Sequence, residues 1–221
     1  LMPGERTQGH RNMRNETRLV CEAPKKAAFV CEFEAFPMER GDVIISPSWT
    51  FHDHWNQDST PALYVDGYDN GYNGGVNLND RMPTESPFQE IRKPNGYGAR
   101  TRGHARPLSE GRPFPLPPMR YPWAETRAAL SALQEAGEED PCEGVHLMLA
   151  SPVDGGPTLP TISWHAQLLR PGQTTLSHRH NSNTNFLTLS SPTRGINSFT
   201  LHTIQAPITE WQCARCSSIS T

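Results

Sequence analysis

One pattern occurs twice in this chain, and it constrains the fold more than any other feature. Leu1-Met2-Pro3-Gly4 and Leu169-Arg170-Pro171-Gly172 each place a histidine six residues after the glycine, giving His10-Arg11-Asn12 and His178-Arg179-His180. Side chains two apart on a strand point the same way, so a His-x-His pair puts two imidazoles on one face. A third segment runs from Gly41-Asp42 to His52-Asp53-His54-Trp55-Asn56 and brings a further pair. A strand carrying that pair can close a metal site opened by the first segment. An internal repeat implies two like units, so two β-barrels are expected.

Composition agrees with that expectation. The 221 residues suffice for one large or two small domains. Hydrophobic residues make up 35%, with 21 Pro and 17 Gly, so core segments should be short and turns many. The net charge of -3 gives no reason to expect nucleic acid or an anionic membrane as partner. No apolar run approaches the roughly 20 residues of a membrane span. The chain opens on Leu1, directly on a motif, and reads as truncated at that end. Its five cysteines are scattered and odd in number, unlike a disulfide framework, so a reducing, cytoplasmic setting is expected. Cys213-x-x-Cys216 has the spacing of half a zinc site but lacks a second pair, and reads as chance.

Residues 17–22, 28–34, 42–46 and 62–66 read as short antiparallel strands at barrel-like spacing. From about 70 to 121 the composition turns loop-forming, as in Arg112-Pro113-Phe114-Pro115. Trp123, Arg127, Leu130 and Leu133 recur at helical spacing between Pro122 and Gly137, which predicts a helix near 122–136. Strand pattern resumes around 161–170 and runs to about 190. The Ser/Thr-rich tail, 191–221, has no clear strand period. The expected division is therefore 1–72 for a first barrel, 73–160 for an irregular linker with one helix, and 161–221 for a partial second barrel.

At these residues the chain resembles the cupin superfamily. Gly4, His10, Asn12 and Glu16 follow its first motif, with Ala23 where the final glycine belongs. Gly41, Pro47, His52 and Asn56 follow its second, with Trp49 in place of glycine. Ser46-Pro47-Ser48-Trp49-Thr50-Phe51-His52-Asp53-His54, then Val65-Asp66-Gly67-Tyr68-Asp69, are more specifically similar to the bicupin ring-cleaving dioxygenases acting on gentisate, salicylate and 1-hydroxy-2-naphthoate. The segment Arg120-Tyr121-Pro122-Trp123 onward is similar to that family's helix between barrels, and the likeness spans roughly residues 1–190.

The resemblance implies an all-β bicupin of jelly-roll barrels, the first short at its start and the second incomplete, with one connecting helix. It implies Fe(II) in the first barrel, with His10 and His52 as ligands and Asn12 where the family has its second histidine. An amide is a weaker donor than imidazole. Glu16 can complete a two-histidine, one-carboxylate set, which suits Fe(II) with positions left open. Arg18 matches an arginine that pairs with the substrate carboxylate, and His54 and Asp66 match residues at the substrate's hydroxyl end. Trp55, where the family has a glycine, would crowd the pocket mouth. The implied partners are a small hydroxylated aromatic acid and O2, and possible homo-oligomerisation. His178 and His180 read as a structural remnant, and His165 as a packing or surface residue. The alternative is a degenerate, non-catalytic cupin fragment serving as a binding or structural module.

Overall fold

The computed structural model describes residues 1–77, 80–93, 96–98, 118–180, 182–190 and 196–203. The expectation for Cys213 and Cys216 falls outside these residues. The first half builds β1 (His10–Asn12), β2 (Glu16–Glu22), β3 (Ala27–Cys31), β4 (Glu34–Pro37), β5 (Val43–Ser46), β6 (His52–Asn56) and β7 (Leu63–Tyr68). A one-and-a-half-turn helix, α1 (Asn70–Gly75), and two short strands, β8 (Arg81–Pro83) and β9 (Met119–Tyr121), follow. These strands form two antiparallel sheets, in the orders β4-β3-β6-β1-β8 and β7-β2-β5-β9. Between them lies a core in which Val20 and Ile44 from one sheet meet Phe29, Cys31 and Phe36 from the other. This is the first jelly-roll barrel.

A third sheet, in the order β10-β11-β13-β12, is made by β10 (Val145–Met148), β11 (Ile162–Leu169), β12 (Asn183–Ser190) and β13 (Ile196–Thr203). It stacks on the outer face of the second sheet. Leu19, Val43 and Ile45 pack there against Leu130, Ile162 and Trp164, and Trp164 Nε1 donates to Thr17 Oγ1 at 2.6 Å. Sheet β7-β2-β5-β9 thus has apolar residues buried on both sides. That explains why Val43-Ile44-Ile45 is an unbroken apolar run instead of an alternating one. Each such side chain contributes about 1.5–3 kcal/mol on burial. The fold is the expected all-β, two-unit arrangement.

The helix α2 (Trp123–Ala136) starts just after Pro122 and ends at Gly137, whose φ of 75° is left-handed. Asp42 fixes its start, accepting from the Trp123 N–H at 2.9 Å and from Arg120 Nε at 2.7 Å. Gly41 is required beside it: a Cβ there would lie 2.6 Å from Trp123 Cγ.

Three local differences have physical causes. Residues 28–34 are not one strand but the end of β3, a two-residue turn and the start of β4. Glu32 and Phe33 both have positive φ, 49° and 65°, as a tight hairpin with primed turn geometry requires. Neither residue is a usual turn former. The Phe51 N–H donates to the Glu32 carboxylate and the Phe33 N–H to Gln89 Oε1, which hold the turn in place. The stretch 73–160 supplies three strands, β8, β9 and β10, each too short to show a period. The tail contains β13, which pairs along eight positions with both β11 and β12. Cys21 and Cys31 are free thiols, whereas Cys142 is disulfide-bonded, a departure from the reading of the cysteine set. Among the described residues no helix is long and apolar enough to cross a membrane.

Candidate active site

Strand register gathers the site. His10 pairs with His52 across β1 and β6, Phe29 with His54 across β3 and β6, and Arg18 with Asp66 across β2 and β7. On β6 the alternation sends His52 and His54 towards Phe29 in the lumen, with ring centroids at 5.8 and 5.1 Å. Asp53 and Trp55 face the other way. The Arg6 guanidinium lies 4.9 Å over the Trp55 ring and its Nε is 3.2 Å from Asp53 Oδ1. Trp55 therefore does not crowd the lumen, contrary to expectation, because it occupies the opposite parity on its strand.

His10 and His52, far apart in sequence, have ring centroids 4.6 Å apart. Each ring is tethered the same way. His10 Nδ1 donates to the Gln8 carbonyl at 3.0 Å and His52 Nδ1 to the Thr50 carbonyl at 3.1 Å. This leaves Nε2 of each as the atom available to a metal, the arrangement usual for ligating histidines. Glu16 reaches across from β2, with Oε2 3.0 Å from His52 Nε2. Its other oxygen accepts from Asn12 Nδ2 at 2.5 Å, and Arg18 Nη2 stands 3.3 Å from Oε2. Burial opposes ionisation of Glu16. The bond and charge of His52, with Arg18 and Asn12, outweigh it and lower its pKa to about 2. Burial, with the neighbouring His52, lowers His10.

Asn12 stands in the cluster, but its amide is engaged. Its oxygen accepts from the Arg14 N–H at 3.1 Å while its nitrogen holds Glu16. It acts on Glu16 more directly than as a donor towards the histidines. The donor atoms of His10, Glu16 and His52 are less tightly gathered than a second set. Among the described residues, a close gathering of three ligand-type groups is formed by Glu143, His178 and His180, by the third sheet.

Arg18 is fully buried. Its Nε donates to Asp66 Oδ1 at 3.1 Å, its guanidinium lies 3.8 Å over the Phe29 ring, and its Nη1 has no hydrogen-bond partner among the described residues. Asp66 also accepts from Tyr68 Oη at 3.0 Å. His54 stacks on Tyr64 at 5.1 Å with planes 6° apart, and its Nδ1 too is buried without a partner among the described residues. Burial, with the Arg18 and His52 charges, pushes its pKa well below the usual imidazole value, so the ring is neutral. Two adjacent buried polar groups are thus left open in one lumen. An unsatisfied buried donor costs about 1–3 kcal/mol, which a polar ligand relieves.

Two residues carry no signal of their own in the sequence. Glu143, buried, lies 2.6 Å from His178 Nε2, and the Gln167 amide donates to it. Neither sits in a motif, and only the alternation of buried polar residues Ser163, His165 and Gln167 on β11 marks the face they share. His165 is not a surface residue: it is buried and bonds Ser163 Oγ at 2.8 Å and His146 at 3.0 Å.

No family model matches the chain. It is 32% identical over 190 residues to the 5-aminosalicylate 1,2-dioxygenase of Comamonas sp, covering 85% of this chain and 50% of that protein. It is 33% identical over 191 residues to gentisate 1,2 dioxygenase 1 of Aquipseudomonas alcaligenes, covering 84% of this chain and 54% of that protein. The chain thus spans about half the length of these curated relatives. The salicylate 1,2-dioxygenase structure from Pseudaminobacter salicylatoxidans superposes with a TM-score of 0.66 at 21% identity, over 92% of this chain and 66% of that one.

Proposed function

We propose, from the premise that the chain belongs to the cupin superfamily and is gentisate 1,2-dioxygenase-like, that it opens the ring of a small hydroxylated aromatic acid with O2. Fe(II) is held by His10, His52 and Glu16, with Asn12 steadying the carboxylate. Two imidazoles and one carboxylate suit this ion and leave positions open, and the tethered Nδ1 atoms of both histidines fit that role. Bound Fe(II) supplies a Lewis acid for the substrate's oxygens and the redox partner of O2.

The observation that carries the reading is the Arg18 guanidinium. It is fixed by Asp66, Glu16 and Phe29 yet keeps Nη1 free inside the lumen. A guanidinium so placed binds a carboxylate with charge-assisted hydrogen bonds. His54, neutral and with Nδ1 unpartnered among the described residues, shares a hydrogen bond with the substrate hydroxyl and orients it. Asp66 and Tyr68 keep Arg18 in register. Phe29 and Tyr64 give the aromatic ring an apolar wall and keep water from it.

The test is iron content after anaerobic Fe(II) loading, followed by oxygen uptake on gentisate and salicylate. The expected result is an iron content that falls by one equivalent in His52→Ala, and uptake with at least one of these acids by the natural chain. Iron content unchanged by His52→Ala, with no uptake in excess Fe(II), contradicts the reading and leaves a non-catalytic cupin.

A further inference from the structure

We propose that the second unit binds a divalent transition-metal ion of its own, through His178, His180 and Glu143. The three donor atoms already form a near-equilateral triangle. His178 Nε2 is 2.6 Å and His180 Nε2 3.3 Å from Glu143 Oε1, and the two ring nitrogens are 2.9 Å apart. Metal–ligand bonds of about 2.1 Å meeting at right angles place their donors about 3 Å apart. The triangle is thus one face of an octahedral site, the two-histidine, one-carboxylate set that takes Fe(II) and its neighbours in the first transition row.

The surroundings orient each donor. His178 Nδ1 faces the Leu176 carbonyl at 3.3 Å, two residues earlier, as His10 faces Gln8 and His52 faces Thr50. That hydrogen bond turns Nε2 towards Glu143 with its lone pair available. The two ring nitrogens are 2.9 Å apart and share a hydrogen bond; a cation bound by both would take the place of the shared proton. Glu143 is held from behind by the Gln167 amide, and Asp140 Oδ1 accepts from the Cys142 and Glu143 N–H groups at 2.7 and 2.9 Å. Among the described residues no Lys or Arg pairs with Glu143, which is met there by the two imidazoles and the Gln167 amide. The His178 side chain is 21% exposed, which leaves a path for an ion to enter. The carboxylate comes from the turn before β10, well ahead of His178 in the chain, and not from the His-x-His segment itself.

The experiment uses the full chain carrying His52→Ala, so that the first-barrel site is disabled, stripped with chelator and titrated with Co2+ under ultraviolet-visible spectroscopy. One equivalent is expected to bind. Adding His178→Ala, or separately Glu143→Gln, is expected to raise the Co2+ Kd at least about 10-fold each. Far-UV circular dichroism confirms that each variant is folded, and the neutral Gln variant preserves the shape of the Glu143 site. No Co2+ bound by His52→Ala, or less than about a 10-fold change in both double variants, overturns the proposal. Because the first site is removed throughout, this outcome is independent of whether the first barrel binds iron.

Discussion

The two units carry the same ligand vocabulary in different electrostatic settings. In the first barrel, Glu16 is contacted by His52, the buried Arg18 guanidinium and the Asn12 amide. In the second, Glu143 is contacted by two imidazoles and the Gln167 amide. The first lumen thus combines a metal-type cluster with a fixed cation and an unpartnered N–H, suited to an anionic organic molecule. Among the described residues the second has no such cation, and its donors are drawn together around one point. Two units can share a motif and still differ in what they hold. The first arrangement favours a substrate beside an ion, the second an ion alone.

The largest expected effect separates the two on stability. Arg18→Gln leaves Glu16 and Asp66 without their buried cation. Breaking such a pair should cost about 3–5 kcal/mol, read by urea unfolding. Glu143→Gln keeps the Gln167 contact and should cost no more than about 1 kcal/mol. Equal losses would mean that the contrast in charge setting has no energetic weight.

Next comes acid sensitivity. Burial lowers the pKa of His54 far, and those of His10, His146 and His180 less. For each, the unfolded chain takes up a proton near pH 6.5 that the folded chain refuses. Stability is therefore complete above that pH and falls as pH drops below it, by about 1.4 kcal/mol per unit per proton. His54→Gln should reduce the slope between about pH 6.5 and 5 by up to one proton's worth. An unchanged slope would contradict the buried neutral state of His54. Glu16 titrates lower: its contribution is present above about 4.5 and lost as pH falls towards about 2.

Asn12→His probes the first ligand set. Iron affinity of the first barrel should rise about 10-fold, with Co2+ binding in the His52→Ala background unchanged. A fall in iron affinity would show that steadying Glu16 matters more than a third imidazole.

Much of this was legible in the chain, for reasons that vary by residue. Strands β2, β5 and β7 announce themselves because each has several β-formers bounded by turn residues. The position of α2 follows from Pro122, Gly137 and the spacing of Leu130 and Leu133. His10, Arg18, His52, His54 and Asp66, named by the resemblance, lie together in the first barrel because strand parity fixes which side chains share a lumen. Other features depend on contacts that no local window contains. The Glu32-Phe33 turn is held by Gln89 and the Phe51 backbone. The strand Ile196–Thr203 is made by its two neighbours. Glu143 joins His178 only after β10 and β11 pair. Trp55 is misplaced when its size is weighed ahead of its parity on β6.

The smallest expected effect checks that parity. Trp55→Ala should cost about 1 kcal/mol through loss of the Arg6 contact and leave oxygen uptake unchanged.

The most direct measurement is oxygen uptake by the iron-loaded protein on gentisate and salicylate, compared between the natural chain, His52→Ala and Trp55→Ala. Uptake in the natural chain and Trp55→Ala, with loss of at least about 100-fold in His52→Ala, is the predicted result. Uptake that survives the loss of His52, or is absent from the iron-loaded natural chain, would contradict the account.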